Sequence, residues 1–175
     1  MQRCLLIVFL CLANLSFCKA QTAEELYQKG LDSANADNFL DAFLSYTAAL
    51  DINPYEAQYY QARGYALYKT KDYKLALSDF NMALKLKPKH ENKTCLFLRG
   101  RVYLDMRSYN EAIRDFDDLL YYFPDELETK YGSIHLFRGK AYLYSGKKEK
   151  ACEDFHEASN RRMSDARPYI KDFCQ

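Results

Sequence analysis

Tryptophan is missing from this 175-residue chain, proline occurs four times, glycine six times and histidine three times. With so little glycine and proline there is no Gly/Ser-rich or Pro-rich linker on which to divide the chain, and the length suits a single domain. No H-E-x-x-H, G-x-S-x-G or glycine-rich phosphate loop is present, which removes the commonest metalloprotease, esterase and nucleotide-binding signatures. An excess of charge of one sign is also lacking, since 25 Lys and Arg stand against 24 Asp and Glu. That balance leaves no electrostatic footprint for nucleic acid. The apolar run from Cys4 to Ala13 falls well short of the roughly 20 residues that a membrane-spanning helix needs.

Arg3 and Lys19 bracket that run, and no acidic residue occurs before position 21. This is the layout of a secretory signal peptide over residues 1–20, with Cys18 and Ala20 at the small-residue positions before the cut. Removing it would start the mature chain at Gln21, with a net charge near −1. An acylated Cys18 is the rival reading, disfavoured by Phe17, because lipoprotein leaders place a small residue before the cysteine. The expectation is an exported chain, periplasmic or secreted, without a transmembrane helix.

What the remaining 155 residues do contain is one frame repeated four times, anchored on Gly30, Gly64, Gly100 and Gly139. Twelve residues after each glycine comes an alanine (Ala42, Ala76, Ala112, Ala151), and sixteen after it an aromatic (Tyr46, Phe80, Phe116, Phe155). Pro54, Pro88 and Pro124 follow at twenty-four in the first three copies. A period near 34 residues is the mark of a solenoid. The unit reads as two antiparallel helices. Its glycine, mid-way along the first, costs about 1 kcal/mol against alanine and so implies a close helix approach. Glycine and alanine are expected to form a notch with the aromatic beside it. The proline stops the second helix.

This pattern resembles the tetratricopeptide repeat, over units 23–56, 57–90, 93–126 and 132–165. The resemblance implies an all-α, right-handed superhelix of four helix-turn-helix units with a short capping helix in 164–175. The fourth copy departs from the family: His135 stands where Leu26, Tyr60 and Leu96 open the other first helices, and Met163 replaces the proline. A weakened final unit is what an end cap looks like.

With the leader gone, Cys95, Cys152 and Cys174 remain, enough for one disulfide and one odd thiol. Pairing Cys152 with Cys174 would staple a cap formed by Tyr169, Ile170 and Phe173 onto the last helix; two unpaired thiols are the alternative. The chain's ending is also similar to the close of many exported bacterial repeat proteins. Cys152 and His156, four apart, amount to half a metal site, and no second pair has ligand spacing. No metal or cofactor is expected. The carboxylates Asp115, Asp117 and Asp118 read as a solvated surface cluster. Asn92-Lys93-Thr94 is a glycosylation acceptor sequence.

Arg63, Arg99 and Arg138 precede a template glycine, and Asp79, Asp115 and Asp154 precede a template aromatic, sixteen residues later each time. A ladder of ion pairs between facing helices is expected, within or between repeats. Solvated independent charges are the alternative.

The resemblance also implies a concave wall made by the first helices. Counting three before and one, four and five after each glycine puts on it Tyr27, Leu31, Tyr65, Tyr68, Lys69, Phe97, Arg101, Leu104, Lys140 and Tyr144, together with Ala34, Asn35, Gln61, Asp105, Leu136 and Leu143. Such a strip suits a peptide with apolar side chains and an acidic group, although the same tyrosines could serve only to pack neighbouring repeats. Members that grip acidic chaperone tails carry basic and asparagine residues where this chain has Tyr27, Leu31, Ala62, Thr94 and Leu98. The functional expectation is a non-enzymatic adaptor for a protein or peptide. A structural subunit of an oligomeric or envelope assembly is the second reading, and a thiol or metal enzyme using Cys95, Cys152 and His156 the third.

Overall fold

A computed structural model describes residues 21–124 and 133–174. The leader, Cys18 and part of the third connection lie outside the described residues. Among the described residues there are nine α-helices and no strand. They run α1 (Ala23–Asn35), α2 (Phe39–Ile52), α3 (Ala57–Lys69), α4 (Tyr73–Leu86), α5 (Lys93–Asp105), α6 (Tyr109–Tyr122), α7 (Ser133–Tyr144), α8 (Lys148–Asn160) and α9 (Arg167–Phe173). Each consecutive pair from α1 to α8 forms a hairpin, each hairpin packs on the next, and α9 folds back on α8.

The helix starts follow from local chemistry. Thr22 and Glu25 form a reciprocal capping box before α1, with the Glu25 amide donating to Thr22 Oγ1 at 3.1 Å and the Thr22 amide to Glu25 Oε2 at 2.9 Å. Asn38 and Asn92 cap α2 and α5 by accepting from the Asp41 and Cys95 amides. Pro54, Pro88 and Pro124 each lie two residues past the end of a second helix.

Close packing inside the hairpin involves a different partner from the one the sequence suggests. The template ring, not the alanine, lies directly against the glycine. A methyl group built on Gly64, Gly100 or Gly139 would come within 2.9, 2.8 and 2.7 Å of the rings of Phe80, Phe116 and Phe155, and one on Gly30 would strike Tyr46. All four rings are fully buried. Each contributes roughly 1.5–3 kcal/mol by burial, which offsets the helix propensity lost at the glycine. The alanines Ala42, Ala76, Ala112 and Ala151 are likewise fully buried and let the second helix approach.

Two backbone features escape the template. Every turn within a hairpin passes through a left-handed residue, seven after the glycine: Asp37 (φ 57°), Lys71 (φ 68°), Arg107 (φ 63°) and Gly146 (φ 82°). The turn closes with an amide bonding back five residues, as Asp72 N does to Leu67 O at 2.8 Å. The same motif recurs once more, after α8, with Arg162 at φ 65° and Met163 N donating to Ala158 O at 3.0 Å. This accounts for the missing fourth proline. Proline has no amide hydrogen to give, and the bond it would forfeit turns the chain back so that α9 can cover α8.

Two substitutions test this packing by chemical denaturation. Gly139→Ala should destabilise the protein by about 1–3 kcal/mol, because a buried ring cannot retreat from the new methyl. Met163→Pro should cost about 1 kcal/mol or more and loosen the C-terminal cap.

Candidate functional site

Successive first helices, α1, α3, α5 and α7, lie against one another to a degree that the second helices do not, so they form the inside of the curve. Two cavities open along that wall. The one nearer the N-terminus, about 380 Å³, is lined by Tyr27, Leu31, Ala62, Thr94 and Leu98, with Tyr65 beside them. Those first five occupy the places that would be basic or asparagine in grippers of acidic chaperone tails, and here they make an uncharged hollow. Tyr27 is half-spent on packing, with its ring 5.7 Å from Tyr46 and 4.9 Å from Tyr59. Leu136, counted inward by template position, instead belongs to the core under α8, beside Ala151 and Phe155.

The second cavity, about 560 Å³, lies between the third and fourth repeats and is lined by Leu104, Tyr109, Phe137, Lys140 and Tyr144. Asp105 and Arg107 also border it, and α9 supplies Tyr169. Neither Phe137 nor Tyr169 is found by counting inward positions. Phe137 sits two residues before its glycine, and Tyr169 lies beyond the last repeat, where no periodic signal exists.

Cations on this wall are surrounded by rings. The Arg101 guanidinium lies 4.9 Å from the Phe137 centroid, 5.4 Å from Tyr68 and 5.9 Å from Phe97. Lys140 Nζ lies 5.3 Å from Phe137 and 5.0 Å from Tyr169, and Lys69 Nζ 4.9 Å from Phe39. Such contacts are worth about 0.5–1 kcal/mol where water reaches them. Among the described residues, none of these three cations has a carboxylate within ion-pair distance. Asp105, the carboxylate nearest this cluster in sequence, accepts a bond from the Tyr68 hydroxyl at 2.8 Å. Burial, with that bond second, pushes the Tyr68 phenol up to about 12.

The arginines before the glycines make a ladder with three arms per rung. Arg63 grips Asp79 in a fork, Nε to Oδ2 and Nη2 to Oδ1 both 2.8 Å. Arg99 does so with Asp115 at 2.8 and 2.5 Å, and Arg138 with Asp154 at 2.8 and 2.7 Å. The remaining Nη1 reaches the second helix of the preceding repeat: Arg63 to Thr47 at 3.3 Å, Arg99 to Asn81 at 2.7 Å, Arg138 to Asp117 at 2.6 Å. Each rung therefore fastens its own hairpin and the one before. Thr47, Asn81 and Asp117 share one template place, directly after the aromatic, that sequence reading missed because their side chains differ. The bond to Asp79 is the largest influence holding the Arg63 value up. In the first repeat Lys29 and Ser45 occupy the two template places, so this fork is not built there.

Several other candidates are placed by the same geometry. Of Asp115, Asp117 and Asp118, Asp115 is buried while Asp117 stays exposed, and the three pair with Arg99, Arg138 and Lys89 in turn. His135 is partly buried, its Nδ1 2.9 Å from Asp154 Oδ1, which puts it on the ladder. Cys152 is joined to Cys174, with Cα atoms 5.5 Å apart, so its sulfur is not free to complete a metal site with the exposed His156. Cys95 is the free cysteine of the described residues; it is fully buried, its thiol donates to the Phe80 carbonyl at 3.3 Å, and burial pushes it up to about 12. A thiol so held is a poor nucleophile. Asn92 is 6 % exposed with its side chain occupied as a helix cap, which leaves no room for a glycan in the folded protein.

A stack of helical hairpins with an aromatic, cation-bearing inner wall is the architecture of a helical-repeat interaction module. Models of the tetratricopeptide repeat match residues 57–90 and 94–126, so these two units are tetratricopeptide repeats. Rat serine/threonine-protein phosphatase 5 is 28% identical over 108 residues, which are 62% of this chain and 21% of the relative. The chain thus spans about a fifth of that relative's length. Among solved structures, MamA from Desulfovibrio magneticus superposes with a TM-score of 0.72 at 18% identity, covering 86% of each chain. The first repeat domain of Spaghetti (RPAP3), bound to the HSP90 peptide SRMEEVD, gives a TM-score of 0.63 at 22% identity over 73% of this chain and 96% of that one. At these identities the likeness is one of fold.

The ladder generates a stability prediction. Arg99→Ala leaves the buried Asp115 carboxylate without its fork and should cost about 3–5 kcal/mol in denaturant unfolding. Removing both charges, with Arg99→Met and Asp115→Leu, should recover most of that loss.

Proposed function

We propose that this protein is an exported adaptor that binds an extended segment of a partner along the inner wall of its repeats and performs no chemistry of its own. One observation carries the reading: Arg101 and Lys140 stand on the wall among aromatic rings, without carboxylate partners among the described residues. A wall of this kind is complementary to a segment that brings both apolar side chains and negative charge. Tyr and Arg are also the side chains that most often dominate binding energy. The related fold in Spaghetti, which holds an HSP90 peptide, supports peptide capture as the mode. The different lining of the N-terminal hollow argues for a different ligand.

Rigidity supports the same reading. The arginine rungs fix each hairpin to its predecessor, so the groove exists before the partner arrives and little ordering is required on binding. The buried, unreactive Cys95 speaks against thiol chemistry. Export rests on the signal-peptide layout of residues 1–20, and the Cys152 to Cys174 link fits an oxidising compartment. The alternative, a subunit that grows end to end, is disfavoured because α9 covers the last hairpin.

The reading is tested by capturing partners from culture medium or envelope extract and measuring the affinity of the one obtained. Reversing Lys69, Arg101 and Lys140 to Glu together should weaken it by about 100-fold or more while circular dichroism stays unchanged. Affinity equal to the unmodified protein would refute the groove.

A further inference from the structure

We infer, building on the groove reading above, that the cavity between the third and fourth repeats is the anchor pocket for a carboxylate flanked by an apolar side chain, and that the Cys152–Cys174 disulfide completes this pocket by holding Tyr169 in its wall. The argument begins with α9. A helix of seven residues is too short to persist by itself in water. Its attachments are Tyr169 stacked on Phe155 at 4.8 Å, Ala166 and Ile170 in the core under α8, and the disulfide at its C-terminal end. The opposite end is fixed by the backbone turn at Arg162 and Met163. The covalent link is therefore what prevents the last turn of α9 from fraying.

Tyr169 belongs to the core and the groove at once. One of its contacts is the fully buried Phe155; another is Lys140, whose ammonium lies 5.0 Å from the Tyr169 centroid. Tyr144 also lines the cavity beside Tyr169, which pushes its phenol up after burial does. Displacing α9 would take away one of the two rings that hold Lys140 and would open one side of a cavity of about 560 Å³, a size that suits one or two side chains.

Charge complementarity gives the occupant's chemistry. Lys140 and Arg107 border the cavity, and Arg101 shares the Phe137 ring with Lys140, at 4.9 and 5.3 Å from its centroid. Asp105, which also borders it, is engaged by the Tyr68 hydroxyl. The rest of the lining is Leu104, Tyr109, Phe137 and Tyr144, apolar faces on either side of the ammonium. An acidic residue next to an aliphatic or aromatic one meets both parts. This pocket, built from the third and fourth repeats and α9, is distinct from the uncharged hollow, which is built from the first three.

The experiment uses two matched arrays of fluorescein-labelled twelve-residue peptides, one placing Glu beside Leu or Phe, the other with Gln in place of each Glu. Peptides of the first array should bind the oxidised protein. Their affinity should fall about tenfold on Glu to Gln replacement, and by a similar factor with Lys140→Gln, with Tyr169→Ala, and with Cys152→Ser combined with Cys174→Ser. Tyr169→Ala keeps the disulfide, so it reports on the pocket even if the serine variant folds poorly. Binding that is lost with Lys140→Gln but indifferent to Tyr169→Ala and to the serine pair would overturn this inference and leave the groove standing. The same holds if peptide mapping under non-reducing conditions finds Cys152 and Cys174 unlinked. No binding from either array, or binding indifferent to Lys140→Gln and Arg101→Gln alike, would refute the groove reading itself.

Discussion

The approach of a ring onto a glycine governs this molecule. In each hairpin the template aromatic of the second helix lies where a side chain on the first helix would otherwise be, and the helices can come no closer or further without losing that contact. This sets the interhelical distance four times over. A single hairpin could not bury such a ring from all sides, so the first three rings are completed by the next repeat and Phe155 by α9. Phe116 illustrates this, since it packs not only within its own hairpin but against Phe137 of the following one, with centroids 6.4 Å apart.

Distance alone does not fix the angle between repeats. The arginine rungs do that, because a planar fork accepts only one arrangement of carboxylate and leaves its third nitrogen pointing in a defined direction. Through Thr47, Asn81 and Asp117 that nitrogen reaches the repeat before, so the orientation of one hairpin is passed to the next. Desolvating these charges is costly, and a buried pair adds little stability compared with apolar packing of the same volume. Its use here is geometric: it makes the curvature of the inner wall a property of the fold and not of the ligand.

Much of this was legible in the chain. The glycine, alanine, aromatic and proline spacings gave the hairpins and their ends, and the constant separation of sixteen between Arg and Asp gave the forks. Some readings needed correction. Leu136 occupies an inward template position yet lies in the core, and the carboxylates Asp117 and Asp118 that looked solvated have cationic partners. The left-handed residues at Asp37, Lys71 and Arg107 went unnoticed because only the fourth copy, with Gly146, uses the residue type that advertises such a turn.

The sequence by itself determined that the fold is a stack of helical hairpins and where the glycine and the buried ring fall in each, because those depend on steric demands that repeat at fixed spacing along one chain. Only the tertiary structure decided that the third arm of each arginine crosses between repeats, that Phe137 and Tyr169 enter the groove, and that Asn92 is sealed beneath its helix. Those depend on how rigid hairpins are rotated against each other and where a non-repeating tail comes to rest. Contacts of that kind join residues of unlike type at unlike separations, so no period along the chain can announce them.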